Sequence, residues 1–390
     1  MNFDFDTIIP RRGTDSYKWD SPAADDILPM WVADMDFRTA PEIIEALQKR
    51  VEHGVFGYAK VPPAYYESII RWFERRHSWS IRREWILSTT GVVPAISAIL
   101  QGIAAPGDKV ITLTPVYNCF FSSIRNSGCV LEDCPLHYEN GLYSIDFDAF
   151  EKQLADAAVK FLLLCNPHNP TGRVWSRSEL SEISRLCEKH GVFVISDEIH
   201  CEMIAPGFRY TPYATVSENA LMGSVTCMSP SKSFNIAGIQ VSNIVCADAA
   251  LRAKIDRSLQ VNEIADVGVF GIPALIAAYD KGEPWLDALN AYFHENDMAF
   301  REFCGKYLPQ YPLPPKEASY LEWLDCTPSG MDGDEVARRL LEEQKLMVNP
   351  GSMYGEAGRP FIRINIACSR TLMMQGLEKI RRVLAPSDRA

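Results

Sequence analysis

Val225-Thr226-Cys227-Met228 is an apolar run of the kind that forms a buried strand, and Ser229-Pro230-Ser231-Lys232-Ser233-Phe234-Asn235-Ile236-Ala237-Gly238 follows it with small hydroxyl residues and a lysine. A lysine just past a strand end can project into a pocket at the edge of a sheet. Desolvation there leaves a free, nucleophilic amine, the form a Schiff base requires. The stretch by itself fits a solvent-facing loop lysine equally well, so the flanking chain decides. Upstream, Asn166-Pro167-His168-Asn169-Pro170-Thr171-Gly172 follows the apolar run Phe161–Cys165. Two Asn-Pro steps and a Thr-Gly force a tight turn that holds the Asn169 amide at a strand end. Asp197 closes another run, Val192–Ser196, 28 residues after Asn169 and 35 before Lys232.

These strands sit in a regular alternation. Helices are expected from Pro41 to His53 and from Pro63 to Arg76, then a strand from Ile86 reaching Gly91, with Val92, Ile96, Ile99 and Ile103 at helical spacing beyond it. Strands follow at Lys109–Leu113, Val130–Leu131, Lys160–Cys165, Val192–Ser196 and Gln240–Cys246. Helices are expected through Ile124 and at Asp146–Leu154, Ser178–His190, Glu263–Tyr279 and Trp285–Lys306. The alternation argues for a largely parallel sheet covered on both faces, whose ligands gather at the carboxyl ends of the strands. The strand, the Gly91 turn and the helix N-terminus at Val92-Val93 make an anion cradle, because unpaired backbone N–H groups and the positive dipole end face one point. After the Pro-rich stretch Leu308–Pro315 a smaller unit is expected, with strands at Ser319–Leu324 and Phe361–Ile366 and helices at Gly333–Glu343 and Leu372–Leu384. The division reads as an N-terminal arm with part of a small unit (1–45), a large unit (46–284) and a small α+β unit (285–390).

Composition narrows the function classes. A net charge of -11 without any dense Lys/Arg run disfavours nucleic acid as a partner. No run of about 18 apolar residues suggests a membrane span, and the opening residues lack a basic-then-apolar leader pattern. The 11 cysteines are scattered, with no Cys-x-x-Cys pair, as packed thiols of a reduced, cytoplasmic protein would be. The seven histidines form no spaced cluster, so no metal is expected.

An anion cradle, an amide, a carboxylate and a strand-end lysine are together the parts that hold pyridoxal phosphate (PLP). Lys232 would form the Schiff base, Asp197 would keep the ring nitrogen protonated, Asn169 would bond the ring's phenolic oxygen, and Tyr117 could stack on the ring. In this order and spacing the motifs resemble the fold-type I PLP enzymes, specifically the class I and II aminotransferase superfamily. Pro29-Met30-Trp31-Val32-Ala33-Asp34-Met35-Asp36-Phe37, Phe56-Gly57-Tyr58, Gly91-Val92-Val93 and Ser196-Asp197-Glu198-Ile199-His200 are similar to its cystathionine β-lyase, or C–S lyase, subfamily.

The resemblance implies an aspartate aminotransferase-like α/β fold, with a mostly parallel seven-stranded sheet in the large unit. It implies that Gly91, Val92, Val93, Ser229, Ser231 and His200 contact the cofactor, and that Tyr58 reaches the phosphate of a neighbouring subunit in a homodimer with shared sites. Arg363 is implied to clamp the substrate α-carboxylate, with Trp31, Val32 and Ala33 beside the substrate. Two positions depart from the general aminotransferase pattern: His200 stands where many carry a tyrosine, and Gln240 where many carry a phosphate-binding arginine. The expected activity is α,β-elimination of L-cystathionine or related S-substituted cysteines. An aminotransferase is the alternative within catalysis, and a cofactor-bearing regulatory or binding protein the alternative outside it.

Overall fold

A computed structural model describes residues 3–22, 24–311, 313 and 316–385 of the 390. The first two residues and Ala23 of the expected arm, Pro312, Pro314 and Pro315 of the Pro-rich stretch, and the last five residues of the expected small unit lie outside them.

Seven strands form the main sheet: β1 (Ile86–Thr89), β2 (Lys109–Thr114), β3 (Val130–Pro135), β4 (Val159–Cys165), β5 (Phe193–Asp197), β6 (Ser224–Met228) and β7 (Ser242–Val245). Their order is β1-β7-β6-β5-β4-β2-β3. Only β7 runs antiparallel to its neighbours. Strand period decides which core each residue enters. Leu162 and Leu164 of β4 pack with Trp175, Leu180 and Ile183 on one face. Phe161, Leu163 and Cys165 pack with Ile96, Ile99 and Phe120 on the other. Burial on both faces is why these strands read as continuous apolar runs rather than alternating ones.

Register brings the three chemical motifs together. Cys165 lies opposite Asp197, and Asp197 opposite Cys227, so β4, β5 and β6 end side by side. The turn carrying Asn169, the Asp197 carboxylate and the loop carrying Lys232 therefore emerge at one rim.

A second, antiparallel sheet has the order β8-β10-β9, from Leu321–Asp325 (β8), Asn349–Pro350 (β9) and Phe361–Asn365 (β10). The helices Gly333–Gln344 and Arg370–Leu384 pack with it, and Leu28–Pro29 of the arm pairs in parallel with Leu346–Met347. Glycine is obligatory where β10 begins. A Cβ on Gly351 would collide with the carbonyl oxygens of Gly358 and Phe361, and one on Gly333 with that of Phe361.

Some local elements differ from the sequence-based expectations. The helix expected over Glu263–Tyr279 starts only at Gly271, and Glu263 itself takes a left-handed φ of 55°. The helix that fills this part of the chain lies earlier, at Ala249–Val261, capped by Asp248 accepting from the Leu251 N–H at 2.8 Å. Only Ile255, Ser258 and Leu259 of that helix are fully buried, a stripe too thin to stand out by periodicity. A hairpin, His137–Glu139 with Leu142–Ser144, also goes beyond the strand expected at Val130–Leu131.

Gly351→Ala should lower stability by about 1–3 kcal/mol, the usual cost of overpacking, because backbone rather than a side chain must yield. Urea denaturation of the two proteins measures it as a lower midpoint.

Candidate active site

At the rim of β4, β5 and β6 a cavity of about 210 Å³ is lined by Ala33, Gly91, Val92, Val93, Pro94, Tyr117, Cys165, Asn169, Asp197, Ile199, His200 and Lys232. Of the residues singled out in the sequence, eight thus share one lining with the lysine. Arg363, Trp31 and Val32 stand directly behind it. Arg363, buried on β10, donates from Nη1 to Asn169 Oδ1 at 3.1 Å and from Nη2 to the Trp31 carbonyl at 3.0 Å, and its face lies 4.9 Å from the Tyr354 ring. Its Nε is buried without a partner. The Asn169 oxygen is taken by Arg363, and its amide hydrogens have no partner among the described residues.

Lys232 donates from Nζ to the Ala33 carbonyl at 2.8 Å, and the Tyr320 hydroxyl donates to the same oxygen at 2.9 Å. Burial pushes the Lys232 amine down from 10.5 to about 8, helped by the Arg363 charge and opposed by Asp34 and Asp197. Asp197 is pushed up to about 7, above all by burial, although it accepts a hydrogen bond from the Ile199 N–H at 3.1 Å and faces Lys232. A buried carboxylate raised in this way favours a cationic group placed against it. Burial, with Lys232 and Arg363 nearby, pushes His200 down to about 3, so its ring is neutral. Its Nδ1 is buried without a partner, and its ring sits edge-on to Tyr320 at 6.4 Å.

The cradle at Gly91 is built as the sequence suggests, with one restriction. The helix Val92–Ile103 has no side-chain cap, its first closed turn is the Ala95 N–H bonded to the Gly91 carbonyl at 2.9 Å, and Pro94 carries no N–H. Val92 and Val93 are thus the two free donors of the first turn. The Ser229 hydroxyl donates to the Val241 carbonyl at 2.6 Å and accepts from the Ser231 N–H at 3.0 Å, so its proton is already engaged. Gln240 is exposed and bonds nothing here. Tyr58 is fully exposed, on a segment that leaves Val55 and Phe56 exposed too, and is not part of this chain's own cavity.

Sequence reasoning missed Pro94, Cys165 and Ile199 in the lining, and Tyr320 and Asn235 behind it. Asn235 accepts from the Met35 N–H at 3.0 Å and donates to the carbonyls of Met35 and Phe37 at 3.1 and 2.8 Å, tying the arm to the lysine loop. No local pattern in the sequence singles Asn235 out; its left-handed φ of 53°, a conformation asparagine tolerates, is a property of the fold. Two unpaired backbone amides, a buried carboxylate, a free side-chain amide and a depressed lysine fit PLP in their chemistry.

The family described as aminotransferase class I and II matches residues 25–380, nearly the whole chain. The chain belongs to this family. It is 41% identical to cystathionine β-lyase PatB of Bacillus subtilis, over 98% of this chain and 100% of that protein. It is 34% identical to protein MalY of Escherichia coli, over 96% and 97%. Among solved structures, cystalysin of Treponema denticola, which contains pyridoxal 5'-phosphate, superposes with a TM-score of 0.95 at 33% identity, covering 98% of this chain and 99% of that one. The chain is a PLP-dependent enzyme in the C–S lyase branch of the family, and its α/β fold with the seven-stranded sheet is that of these relatives.

The depressed Lys232 sets a pH signature. A lowered amine pKa means the neutral, nucleophilic fraction grows as pH rises through about 8 rather than through 10.5. The rate of PLP uptake by the cofactor-free chain should therefore level off above about pH 9, measured by stopped-flow absorbance. A rate still climbing at about pH 10 would mean an ordinary lysine.

Proposed function

We propose that this protein is a C–S β-lyase that eliminates the thiol from L-cystathionine or related S-substituted cysteines, giving pyruvate and ammonia. The observation that carries the reading is the arm segment Trp31-Val32-Ala33, which supplies the carbonyls that hold Lys232 and Arg363. Likeness to PatB along the full chain supports it.

Lys232, Asp197, Asn169, Val92 and Val93 would hold PLP, with Tyr117 beside the ring. When bound, PLP supplies the electron sink that acidifies the substrate Cα–H. Arg363 meets the substrate carboxylate with its unpaired Nε and its Nη groups, a planar fork that fixes the substrate's orientation. Lys232 Nζ, neutral for a large fraction of molecules near pH 8, takes the α-proton. The Ala33 carbonyl then accepts from the resulting ammonium. Asp197 keeps a proton on the ring nitrogen, and neutral His200 adds no charge that would oppose it.

We further read the functional unit as a homodimer in which Tyr58 of each copy reaches the cofactor phosphate of the other. Its full exposure beside Val55 and Phe56 supports this. The chain has 11 free cysteines, all buried except the half-buried Cys119, which suits a reducing cytoplasm. Among the described residues no helix is long and apolar enough to cross a membrane.

Lys232→Ala should lower pyruvate release from L-cystathionine by at least about 10²–10⁴-fold, with no 2-oxo acid added to the assay. Parental turnover in that variant would refute the lysine's role, and a wild-type requirement for a 2-oxo acid would favour transamination. Arg363→Lys should reduce kcat/KM by roughly 10- to 100-fold, as expected for losing one charged hydrogen-bond pair. Tyr58→Phe should weaken PLP retention on dialysis while sedimentation still reports a dimer.

A further inference from the structure

We infer that Asp34, tethered by Arg11, is a positioning residue that fixes where the Lys232 amine rests and supplies the negative charge that receives its ammonium form. The inference deepens the lyase reading and rests on it only for the origin of the proton.

The acceptor for Lys232 is the carbonyl of the Ala33–Asp34 peptide, so any rotation at Asp34 swings that oxygen away from Nζ. Asp34 is pinned on both sides of its Cα. Its own carbonyl accepts from Asn365 Nδ2 at 2.7 Å and from Lys18 Nζ at 3.3 Å. Its side-chain Oδ2 accepts from Arg11 Nη2 at 2.6 Å. The other carboxylate oxygen, Oδ1, is buried and has no partner. Arg11 is shared, because its Nη1 also pairs with Asp36 at 2.8 Å, and Asp36 is matched by buried Lys18 at 2.8 Å. Two cations and two acids leave this cluster electrically neutral, with one carboxylate oxygen uncommitted.

The charged and titratable groups that act on Lys232 are Arg363 from β10, Asp34 from the arm, Asp197 from the end of β5 and Cys119 from the helix Cys119–Asn126, with neutral His200 close by. Arg363 opposes an ammonium and the two carboxylates favour it. Asp197 is assigned to the cofactor ring, and Asp34, although paired with Arg11, is the other carboxylate that favours the ammonium formed when the Cα–H bond breaks. In that step the electron pair stays on carbon and the proton goes to Nζ. Asp34 does not touch the reacting atoms; it acts through Ala33 and through its field.

The test compares full-length Asp34→Asn, Asp34→Glu and Asp36→Asn with the parent, reading the pH midpoint of PLP uptake by the cofactor-free chain and the holoenzyme's kcat and KM. Removing a nearby negative charge lowers an amine's pKa, so the Asp34→Asn midpoint should fall by about one unit and kcat by about tenfold, with KM nearly unchanged. Asp34→Glu keeps the charge and should keep the midpoint while lowering kcat. Asp36→Asn loosens the same cluster without removing the Asp34 charge and should leave the midpoint in place. An unmoved midpoint in Asp34→Asn, or an equal shift in Asp36→Asn, would overturn the inference. If Asp34→Asn does not fold, a midpoint that moves in Asp34→Glu as far as about one unit overturns it equally. A parent that releases no pyruvate while the midpoints behave as stated would refute the lyase reading alone.

Discussion

The site depends on a strip of arm outside any helix or strand, residues 30–37, gripped from two sides. On one side Asn235, three residues past Lys232, makes three hydrogen bonds to Met35 and Phe37. On the other, the Asn365 side chain bonds the Val32 and Asp34 carbonyls, and its N–H bonds that of Met30. Outside helix and sheet the strip has no ladder of its own, so its backbone groups must find partners elsewhere or lose them to burial. Here the partners belong to the lysine loop of the large sheet and to β10 of the small one. Satisfying the strip's backbone therefore fixes Lys232 and Arg363 relative to each other.

Around that strip, burial perturbs each ionisable group in the direction that the role proposed for it requires. Burial lowers Lys232 toward neutrality, raises Asp197, and keeps His200 uncharged. The neighbouring Glu198 faces away. Its carboxylate accepts from the Tyr213 N–H at 2.9 Å, from Ser196 Oγ at 2.8 Å and from Asn166 Nδ2 at 3.2 Å, with a further bond from the Tyr210 hydroxyl. Two consecutive acids on one strand end thus take opposite roles. Period-2 geometry sends one to the cavity and the other into the wall beneath it.

Elsewhere, buried charges are paired for structural ends. Glu202 receives bonds from Trp72, Arg76 and His77 at 2.6–2.9 Å, which locks the helix Pro63–His77 beneath the β5 loop. His77, Cys201 and Glu202 lie close enough to hold a metal ion, but the Arg76 guanidinium already occupies the carboxylate. Glycine at 333 and 351 serves the same end at β10, where only the absence of a side chain lets the backbone approach Phe361.

The sequence by itself determined the strands of the large sheet, the order of Asn169, Asp197 and Lys232 along it, and the helix start at Val92-Val93. Each is a local signal: an apolar run, a turn-forming dipeptide or a helix start is written in adjacent residues. It determined the family as well, because several such signals recur in fixed order. The tertiary structure decided what no local pattern encodes. The thin buried stripe of Ala249–Val261, the pairing of Ser229 with Val241, the neutrality of His200 and the contacts of Ala33 with Lys232 and Tyr320 all arise between residues far apart in the chain. Burial and field are properties of the assembled site, and the sequence near Lys232 says nothing of the arm 199 residues away that holds its amine.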